Sequence, residues 1–150
     1  MTSAADAALL ALAAPLIKGE EACRLSAYQD TRGVWTIGWG RADAGVHPGM
    51  TCTQDQADAW FEVKVAGLIA QLDRAIPWWR TMSPPRQAVL LDMAYQLGLA
   101  GLLRFAKALS AMEAGDWRAA HDEMLVSAWD CQTPNRAQAE ARIMLTGQMA

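Results

Sequence analysis

The 150-residue chain has few of the residues from which metal centres and disulfides are built, with three cysteines and two histidines. The cysteines, Cys23, Cys52 and Cys131, are odd in number and lack metal-ligand spacing, so they predict free thiols in a reducing compartment. The histidines, His47 and His121, are unpaired in sequence. We therefore expect no metal site and no cofactor.

Long apolar runs are also missing. The longest near the start, residues 7 to 17, has eleven residues, is interrupted by Pro15 and follows Asp6 rather than a basic residue. A membrane-spanning helix needs about 20 apolar residues, and a signal peptide begins with positive charge. The run therefore predicts an alanine-rich helix, capped near Ser3, that packs on the domain, and no stable membrane span. A membrane-interacting segment is the alternative.

Positive charge is scarce as well. The net charge is −3 and the pI is about 5.3. Residues 102 to 128 resemble a helix-turn-helix and suggest a compact helical DNA-binding protein as an alternative. Nucleic-acid binding needs a clustered positive surface, so the acidic composition argues against that alternative. The length fits one domain, and no repeat, low-complexity tail or linker interrupts it.

Two acidic residues, Glu21 and Asp30, lie close together in the first third of the chain. Splitting a glycosidic bond needs one carboxylic acid to protonate the leaving oxygen and a second carboxylate to position water or to attack directly. Apolar spacing over residues 16 to 25 predicts a helix that carries Glu21. The alternatives are an exposed helix glutamate at Glu21 and a simple turn-former at Asp30.

The segment after Asp30 predicts a turn followed by a strand. Residues 30 to 33 have turn composition, and Gly33 can take the positive φ that closes a hairpin. Residues 34 to 40 alternate with period two, so that Thr36 shares a face with small residues. We expect this small face to let a ligand approach the backbone, and Thr36 to hold a water with Asp30. The alternative is a threonine selected only for β-propensity.

The remaining two thirds of the chain predict helices. Thr53 to Gln56 is a capping box that opens a long helix, and Ser83 precedes a second helix that is apolar nearly all round and that Gly98 can end. Shorter helices are expected at about residues 102–114, 116–127 and 134–147. Trp78 and Trp79 are expected to pack in the core.

Three stretches, in the same order, resemble the phage-type lysozymes or endolysins, whose site is a Glu, an Asp and a Thr. The first contains Glu21, Asp30, Gly33 and the Thr36-Ile37-Gly38 run, the second is residues 92 to 98, and the third is residues 127 to 136, Ser-Ala-Trp-Asp-Cys-Gln-Thr-Pro-Asn-Arg. Together they are distributed over most of residues 16 to 147. The chain departs from the family pattern at Ala22, usually glycine, and at Arg41, usually histidine.

The resemblance implies an α+β fold that is predominantly helical, with a small β-hairpin subdomain and a larger helical lobe joined by a long helix. We expect one lysozyme-like domain over residues 1–150. It divides into an N-terminal helical extension at 1–15, a β-subdomain at about 25–52, and the linking helix and helical lobe at about 53–147. Because the segment of residues 41 to 53 is short and rich in turn-forming residues, we expect the β-subdomain to be reduced to a hairpin.

The resemblance also implies roles for individual residues. Glu21 would be the general acid, while Asp30 and Thr36 position water. Arg136 would be the partner of Glu21, although a nearby guanidinium lowers a carboxyl pKa and a general acid needs it raised. Arg136 and Arg142 could also form a positive patch. Further expected residues are Trp129 and Gln96 as braces, and Tyr95, Gln132 and Thr133 as sugar contacts.

The expected function is that of a peptidoglycan-hydrolysing endolysin, an N-acetylmuramidase that cuts the β-1,4 bond between N-acetylmuramic acid and N-acetylglucosamine for host cell lysis. Inversion of configuration is favoured. The protein is expected to be a monomer in the host cytoplasm that acts on the periplasmic wall after release, with peptidoglycan as its partner. The alternatives are a lytic transglycosylase and a non-catalytic peptidoglycan-binding module.

Overall fold

A computed structural model describes residues 3–20, 22–126 and 134–149. Within these ranges six α-helices, one short 3-10 helix and a two-stranded sheet form, so the expected α+β, predominantly helical fold is confirmed. The elements are α1 Ala4–Glu20, β1 Arg24–Gln29, β2 Trp35–Gly38, α2 Gln54–Ala75, the 3-10 helix Pro77–Thr81, α3 Pro84–Leu103, α4 Ala106–Ala114, α5 Trp117–Leu125 and α6 Pro134–Thr146.

Helix α1 is the alanine-rich helix that the sequence predicts. The side-chain oxygen of Ser3 accepts the backbone N–H of Asp6 at 3.0 Å, which caps the first turn. Leu9, Ala13 and Ile17 recur every four residues on one buried face, and α1 packs against α3. Packing of this face fixes α1 on the helical lobe.

The predicted helix over residues 16 to 25 is wrong at its C-terminal end, because β1 begins at Arg24. Arg24 lies opposite Gly38 in the sheet, and the carbonyl of Leu25 accepts the backbone N–H of Cys52 at 2.9 Å. These hydrogen bonds to other segments satisfy the backbone groups that a continued helix would have paired internally.

The sheet is an antiparallel hairpin in which Tyr28 lies opposite Thr36 and Gln29 opposite Trp35. Gly33 closes the turn with φ +77°, as predicted. The following segment adds isolated bridges, Ser26 to Thr51 and Ile37 to Arg41, but no further strand in the described ranges. The expected reduction of the β-subdomain to a hairpin is therefore confirmed.

Helix α2 begins with the capping box that its sequence predicts. The Thr53 side chain accepts the Gln56 N–H at 3.1 Å, and the Gln56 side chain accepts the Thr53 N–H at 2.9 Å. One stripe of α2 is buried, and the helix contacts both β2 and α3, so it joins the hairpin to the helical lobe. The buried residues are Ala57, Phe61, Val65, Leu68, Ile69 and Leu72.

Helix α3 forms the centre of the core, with its residues 88 to 95 all buried. The expected end at Gly98 is only partly right. Gly98 has a non-helical backbone, φ +73° and ψ +165°, but helical structure resumes and runs to Leu103, so that α4 begins only at Ala106. Trp79, which is fully buried, donates its indole N–H to Asp73 at 2.7 Å, which confirms the expected core position.

The C-terminal helices complete the lobe, with α5 packed against α4 and α6, and α6 also against α3. No single helix in the described ranges is long and apolar enough to cross a membrane. Helices α3 and α4 together reach that length and composition, but they bend by 104° at the break between them.

Candidate active site

Asp30 stands at the tip of the hairpin, where its side chain organises the turn. Its Oδ1 accepts two backbone N–H groups, from Arg32 at 2.8 Å and Val34 at 2.9 Å. Hydrogen bonds to the ionised form stabilise it, so the Val34 bond, aided by Arg32, holds the pKa of Asp30 below its ordinary value of 3.8. Asp30 is therefore a carboxylate at neutral pH, and the turn-forming alternative is also correct.

Thr36 lies on β2 with 5% of its surface exposed. Its hydroxyl donates to the backbone carbonyl of Val34 at 3.0 Å. This hydrogen bond uses the single proton of the hydroxyl and fixes the orientation of Oγ1. The two lone pairs of Oγ1 can still accept hydrogen bonds.

The strand register places Asp30 and Thr36 on the same face of the hairpin. Thr36 pairs with Tyr28, so these two side chains project to one side. Asp30 follows two residues after Tyr28 and shares its side by alternation, while Gln29 and Trp35 project to the other. A carboxylate and a hydroxyl that both accept hydrogen bonds therefore lie on one face.

The expectation that small residues leave this face open along its length is wrong. Gly38 is buried, and a Cβ built on it would lie 3.3 Å from the Cβ of Ala57 and 3.6 Å from the Trp60 ring on α2. The glycine is therefore needed for close packing of the hairpin on α2, not for ligand approach. Its φ of +65° also ends the period-two alternation.

A buried charged cluster links α3 to α6. Arg136 donates from Nε to Asp92 Oδ2 at 3.2 Å and from Nη2 to Asp92 Oδ1, and Glu140 Oε2 lies 3.7 Å from Arg136 Nε. Asp92 and Glu140 are fully buried, and Arg136 is 7% exposed. At this burial, Arg136 does not belong to a surface patch with Arg142, which is exposed on α6.

Tyr95 and Gln96 lie on α3, three and four residues after Asp92. The Tyr95 hydroxyl donates to the backbone carbonyl of Trp39, which ties α3 to the end of the hairpin. Its ring packs on Phe61, with ring centres 5.6 Å apart. Tyr95 is thus mainly a link between hairpin and lobe, while Gln96 is half-buried on the following turn.

Several predicted residues fall outside the described ranges, namely Glu21, Trp129, Gln132 and Thr133. Their roles stay predictions. In sequence, Glu21 lies between the end of α1 at Glu20 and the start of β1 at Arg24.

Sequence reasoning missed the roles of Asp92 and Glu140. Asp92 lies 44 residues before Arg136 in a helix that otherwise looks wholly apolar, and its charge in that setting was the available signal. An aspartate on a buried helix face requires a partner. The i to i+4 spacing of Arg136 and Glu140 on α6 was a second signal.

The cysteines and histidines form no evident reactive site in the described ranges. Cys23 and Cys52 are free thiols, as predicted, while Cys131 lies outside these ranges. Burial raises the pKa of the Cys52 thiol, with Cys23 contributing. No group of three or more metal-ligating side chains occurs among the described residues.

Comparison with known proteins decides the family. A model of the phage lysozyme family matches residues 18–142, which include the hairpin, α2, α3 and most of α6. The chain belongs to the phage lysozyme family. Membership supports a glycosidase-type, peptidoglycan-hydrolysing enzyme with peptidoglycan as substrate.

Several known proteins align along most of the chain. The pre-baseplate central spike protein Gp5 of Enterobacteria phage T4 is 30% identical over 91% of this chain, which spans only 28% of that relative. A probable T4-type lysozyme of Dictyostelium discoideum is 24% identical, with 89% of this chain and 94% of the relative covered. An endolysin of Acyrthosiphon pisum secondary endosymbiont phage 1 is 28% identical, with 73% of each covered.

Proposed function

We propose that the protein is an N-acetylmuramidase that hydrolyses the β-1,4 bond between N-acetylmuramic acid and N-acetylglucosamine, with Glu21 as general acid and Asp30 and Thr36 holding the attacking water. The observation that supports this most is the common hairpin face of Asp30 and Thr36, each with an oxygen oriented by a backbone hydrogen bond.

The two acceptors suit a nucleophilic water. Asp30 uses Oδ1 within the turn, and Oδ2 makes no hydrogen bond to the rest of the described chain. The Thr36 hydroxyl already donates its hydrogen bond to the Val34 carbonyl, so Oγ1 accepts a hydrogen bond from water rather than donating one. A water that donates one proton to Asp30 and one to Thr36 presents its oxygen lone pair to the anomeric carbon. Asp30 then takes the proton released by attack.

The buried Asp92 supports Glu21 as the acid. A lone guanidinium beside Glu21 would lower its carboxyl pKa and weaken it as a proton donor. In this protein the Arg136 charge faces Asp92, in a two-point hydrogen-bonded pair, and Glu140 at 3.7 Å. We infer that these carboxylates offset the Arg136 charge, which favours Glu21 as the proton donor.

Water delivered by Asp30 and Thr36 implies inversion at the anomeric carbon, because the water attacks on the face opposite the leaving group. Trp129 and Gln96 would support the catalytic site, and Tyr95, Gln132 and Thr133 would contact sugar. A monomer is sufficient, since every proposed role comes from one chain.

Host cell lysis is the proposed setting, with the protein acting on the wall after release from the cytoplasm. The named endolysin is covered over 73% of its length, whereas the T4 spike protein is covered over only 28%. The alignment therefore covers a larger share of the endolysin than of the spike protein, although the sequence identity to the spike protein is slightly higher. This coverage supports the endolysin setting.

The test is lytic activity of the purified protein on outer-membrane-stripped cells. Wild type, Glu21→Gln and its neighbour Glu20→Gln are compared as the fall in turbidity with time. Loss of a general acid costs about 100-fold to 10,000-fold in rate, so Glu21→Gln should be inactive while Glu20→Gln keeps wild-type activity.

Equal loss in both glutamine variants, or in neither, would contradict the assignment of the acid. A wild-type protein that sediments with insoluble wall and never lowers turbidity would instead be a non-catalytic binding module. Circular dichroism of each variant checks that a loss of activity is not a loss of fold.

A further inference from the structure

The side chain of Asp58, on the second turn of α2, joins three segments of the chain. Its Oδ1 accepts the indole N–H of Trp39, in the segment after β2, at 2.7 Å. The same oxygen accepts the side-chain amide N–H of Gln54, at the start of α2, at 3.0 Å. The ammonium of Lys18, in the last turn of α1, lies 3.5 Å from it. One carboxylate oxygen thus meets donors from α1, from the end of the hairpin and from α2 itself.

Asp58 is a carboxylate at neutral pH. The hydrogen bond from Trp39, the one from Gln54 and the charge of Lys18 hold the pKa of Asp58 below its ordinary value of 3.8. Hydrogen bonds to an ionised acceptor are shorter and stronger than those between neutral groups. The bond from the Trp39 indole is therefore a strong, directional link between the hairpin and α2.

Trp39 is held on the helical lobe from several directions. Its indole N–H binds Asp58 on α2, and its backbone carbonyl accepts the hydroxyl of Tyr95 on α3. Its ring packs edge-on against Phe61, with ring centres 6.5 Å apart. Because Trp39 lies three residues after Thr36, fixing Trp39 on the lobe restricts the position of the strand that carries Thr36.

The same carboxylate also restrains the chain on both sides of Glu21 in sequence. Lys18, whose ammonium lies near Asp58, is three residues before Glu21. Cys23, two residues after Glu21, accepts at Sγ a hydrogen bond from the Gln54 amide at 3.6 Å. The amide of Gln54 has two protons, so it can serve both Cys23 and Asp58.

We propose that Asp58 is a positioning residue for the reaction, which holds the last turn of α1 and the end of the hairpin against α2. It thereby fixes the chain segments of the acid Glu21 and of the water-holding Thr36 relative to each other. This inference rests on the proposed roles of Glu21 and Thr36. Acid and water must meet the sugar from opposite sides, and a misplacement of about 1 Å can lower the rate about 100-fold. Asp58 itself takes no part in proton transfer.

The direct test replaces Asp58 in two ways. Asp58→Ala removes the acceptor, so kcat on peptidoglycan should fall by about 10-fold to 100-fold while KM stays close to wild type. Asp58→Asn keeps an oxygen that can accept from Trp39 and Gln54, so it should recover most of that loss. Asp55→Ala is the control and should match wild type. Asp55 lies three residues earlier on α2, and its exposed carboxylate makes no side-chain hydrogen bond or ion pair with the rest of the described chain.

Stability separates positioning from a merely structural role. The side chain of Asp58 is 42% exposed, so the urea midpoint of Asp58→Ala should stay close to that of wild type. A wild-type kcat in Asp58→Ala would overturn the proposal. An Asp58→Asn protein as impaired as Asp58→Ala, or a loss of kcat that follows a large fall in the urea midpoint, would overturn it too.

A double-mutant cycle tests whether Asp58 acts through Trp39. Trp39→Phe keeps an aromatic ring but removes the indole N–H, so it should also lower kcat. Adding Asp58→Ala to Trp39→Phe should then reduce kcat much less than it does in the wild type, because the bond is already lost. Fully additive losses would contradict the link between the two side chains.

Hydrogen–deuterium exchange separates this inference from the proposed reaction. The backbone N–H groups of Ile37 and Arg41 each bond to the other's carbonyl at 2.9 Å at the end of the hairpin. Both should exchange faster in Asp58→Ala than in wild type or Asp55→Ala. Faster exchange together with an inactive wild type would contradict the proposed reaction and keep Asp58 as the link between hairpin and α2. Unchanged exchange would overturn the role of Asp58 even if wall cleavage is confirmed.

Discussion

The Thr36 hydroxyl donates a hydrogen bond to the backbone carbonyl of Val34, just before β2, and this bond determines how the Thr36 oxygen can interact with water. A threonine with a rotating hydroxyl could orient water in several ways. Here the side chain is buried and its hydroxyl already donates to the Val34 carbonyl, so the oxygen acts toward water as an acceptor of fixed orientation. Combined with Asp30, whose pKa is held below 3.8, it provides two acceptors for one water.

Replacing Thr36 therefore separates shape from hydrogen bonding. Thr36→Val keeps the volume but removes the acceptor, so wall-lysis activity should fall by about 100-fold or more. Thr36→Ser keeps the hydroxyl and should retain most activity.

Thr51→Val, at an exposed threonine of the same subdomain, is the control and should be active. The free energy of unfolding of Thr36→Val should drop by only about 1 kcal/mol, measured by urea denaturation. An active Thr36→Val protein would refute the role of Thr36 as a water acceptor.

Asp92 and Arg136 provide a second residue-level case, in which burial sets the energy. Breaking a buried pair leaves an uncompensated charge and costs about 3 to 5 kcal/mol, whereas an exposed pair contributes about 0 to 1 kcal/mol. Asp43 and Arg41 form a similar two-point pair near the surface. The chain thus contains two Asp–Arg pairs of similar geometry, one buried and one near the surface, whose contributions to stability can be compared.

We predict that Asp92→Asn lowers the free energy of unfolding by several kcal/mol, while Asp43→Asn changes it by about 1 kcal/mol or less. Thermal and urea unfolding of both variants measure this. Similar small losses in the two variants would mean that Arg136 does not depend on Asp92 for its charge compensation.

At the scale of elements, the position of the hairpin depends on its contact with α2. Gly38 permits that contact because any Cβ there would press on Ala57 at 3.3 Å. Gly33 also has a positive φ, but a Cβ there would meet nothing within 4 Å. Substitution of either glycine would therefore strain the backbone, but only substitution of Gly38 would also crowd a neighbouring helix.

Gly33→Ala should cost about 1 to 2 kcal/mol from its left-handed backbone alone and keep wall-lysis activity. Gly38→Ala should cost more, and it should also reduce activity by shifting β2, which carries Thr36. Unfolding and turbidity assays on both proteins test this. Equal effects on both assays would show that the Gly38 contact does not position the site.

At the scale of the whole molecule, local signals in the sequence were reliable where their cause is local. The Thr53 and Gln56 side chains cap α2 as their spacing predicts, and Gly33 closes the hairpin. Gly98 interrupts α3, but packing of the next turn, with Leu102 buried, restores the helix. Local propensity could not predict that recovery.

Long-range pairings were the part that the sequence did not reveal. The Asp92–Arg136 pair joins α3 to α6, and the packing of Gly38 on α2 closes a face that looked open. Both depend on how distant elements meet in space. The hairpin residues Asp30 and Thr36 were found because their spacing, turn chemistry and family resemblance agree. The assignment of Glu21 as the acid rests on its closeness to Asp30 in sequence and on the family resemblance, whereas the roles of Trp129, Gln132 and Thr133 rest on the resemblance alone.

The proposed reaction depends on water being the group that Asp30 and Thr36 deliver to the sugar. The most direct measurement is mass spectrometry of the fragments released from peptidoglycan in ¹⁸O-labelled water, with the anomer of the new end followed by NMR during the first turnover. We predict one ¹⁸O atom at each new reducing end, initially in the α configuration. Unlabelled 1,6-anhydro ends would instead identify a lytic transglycosylase and contradict the account.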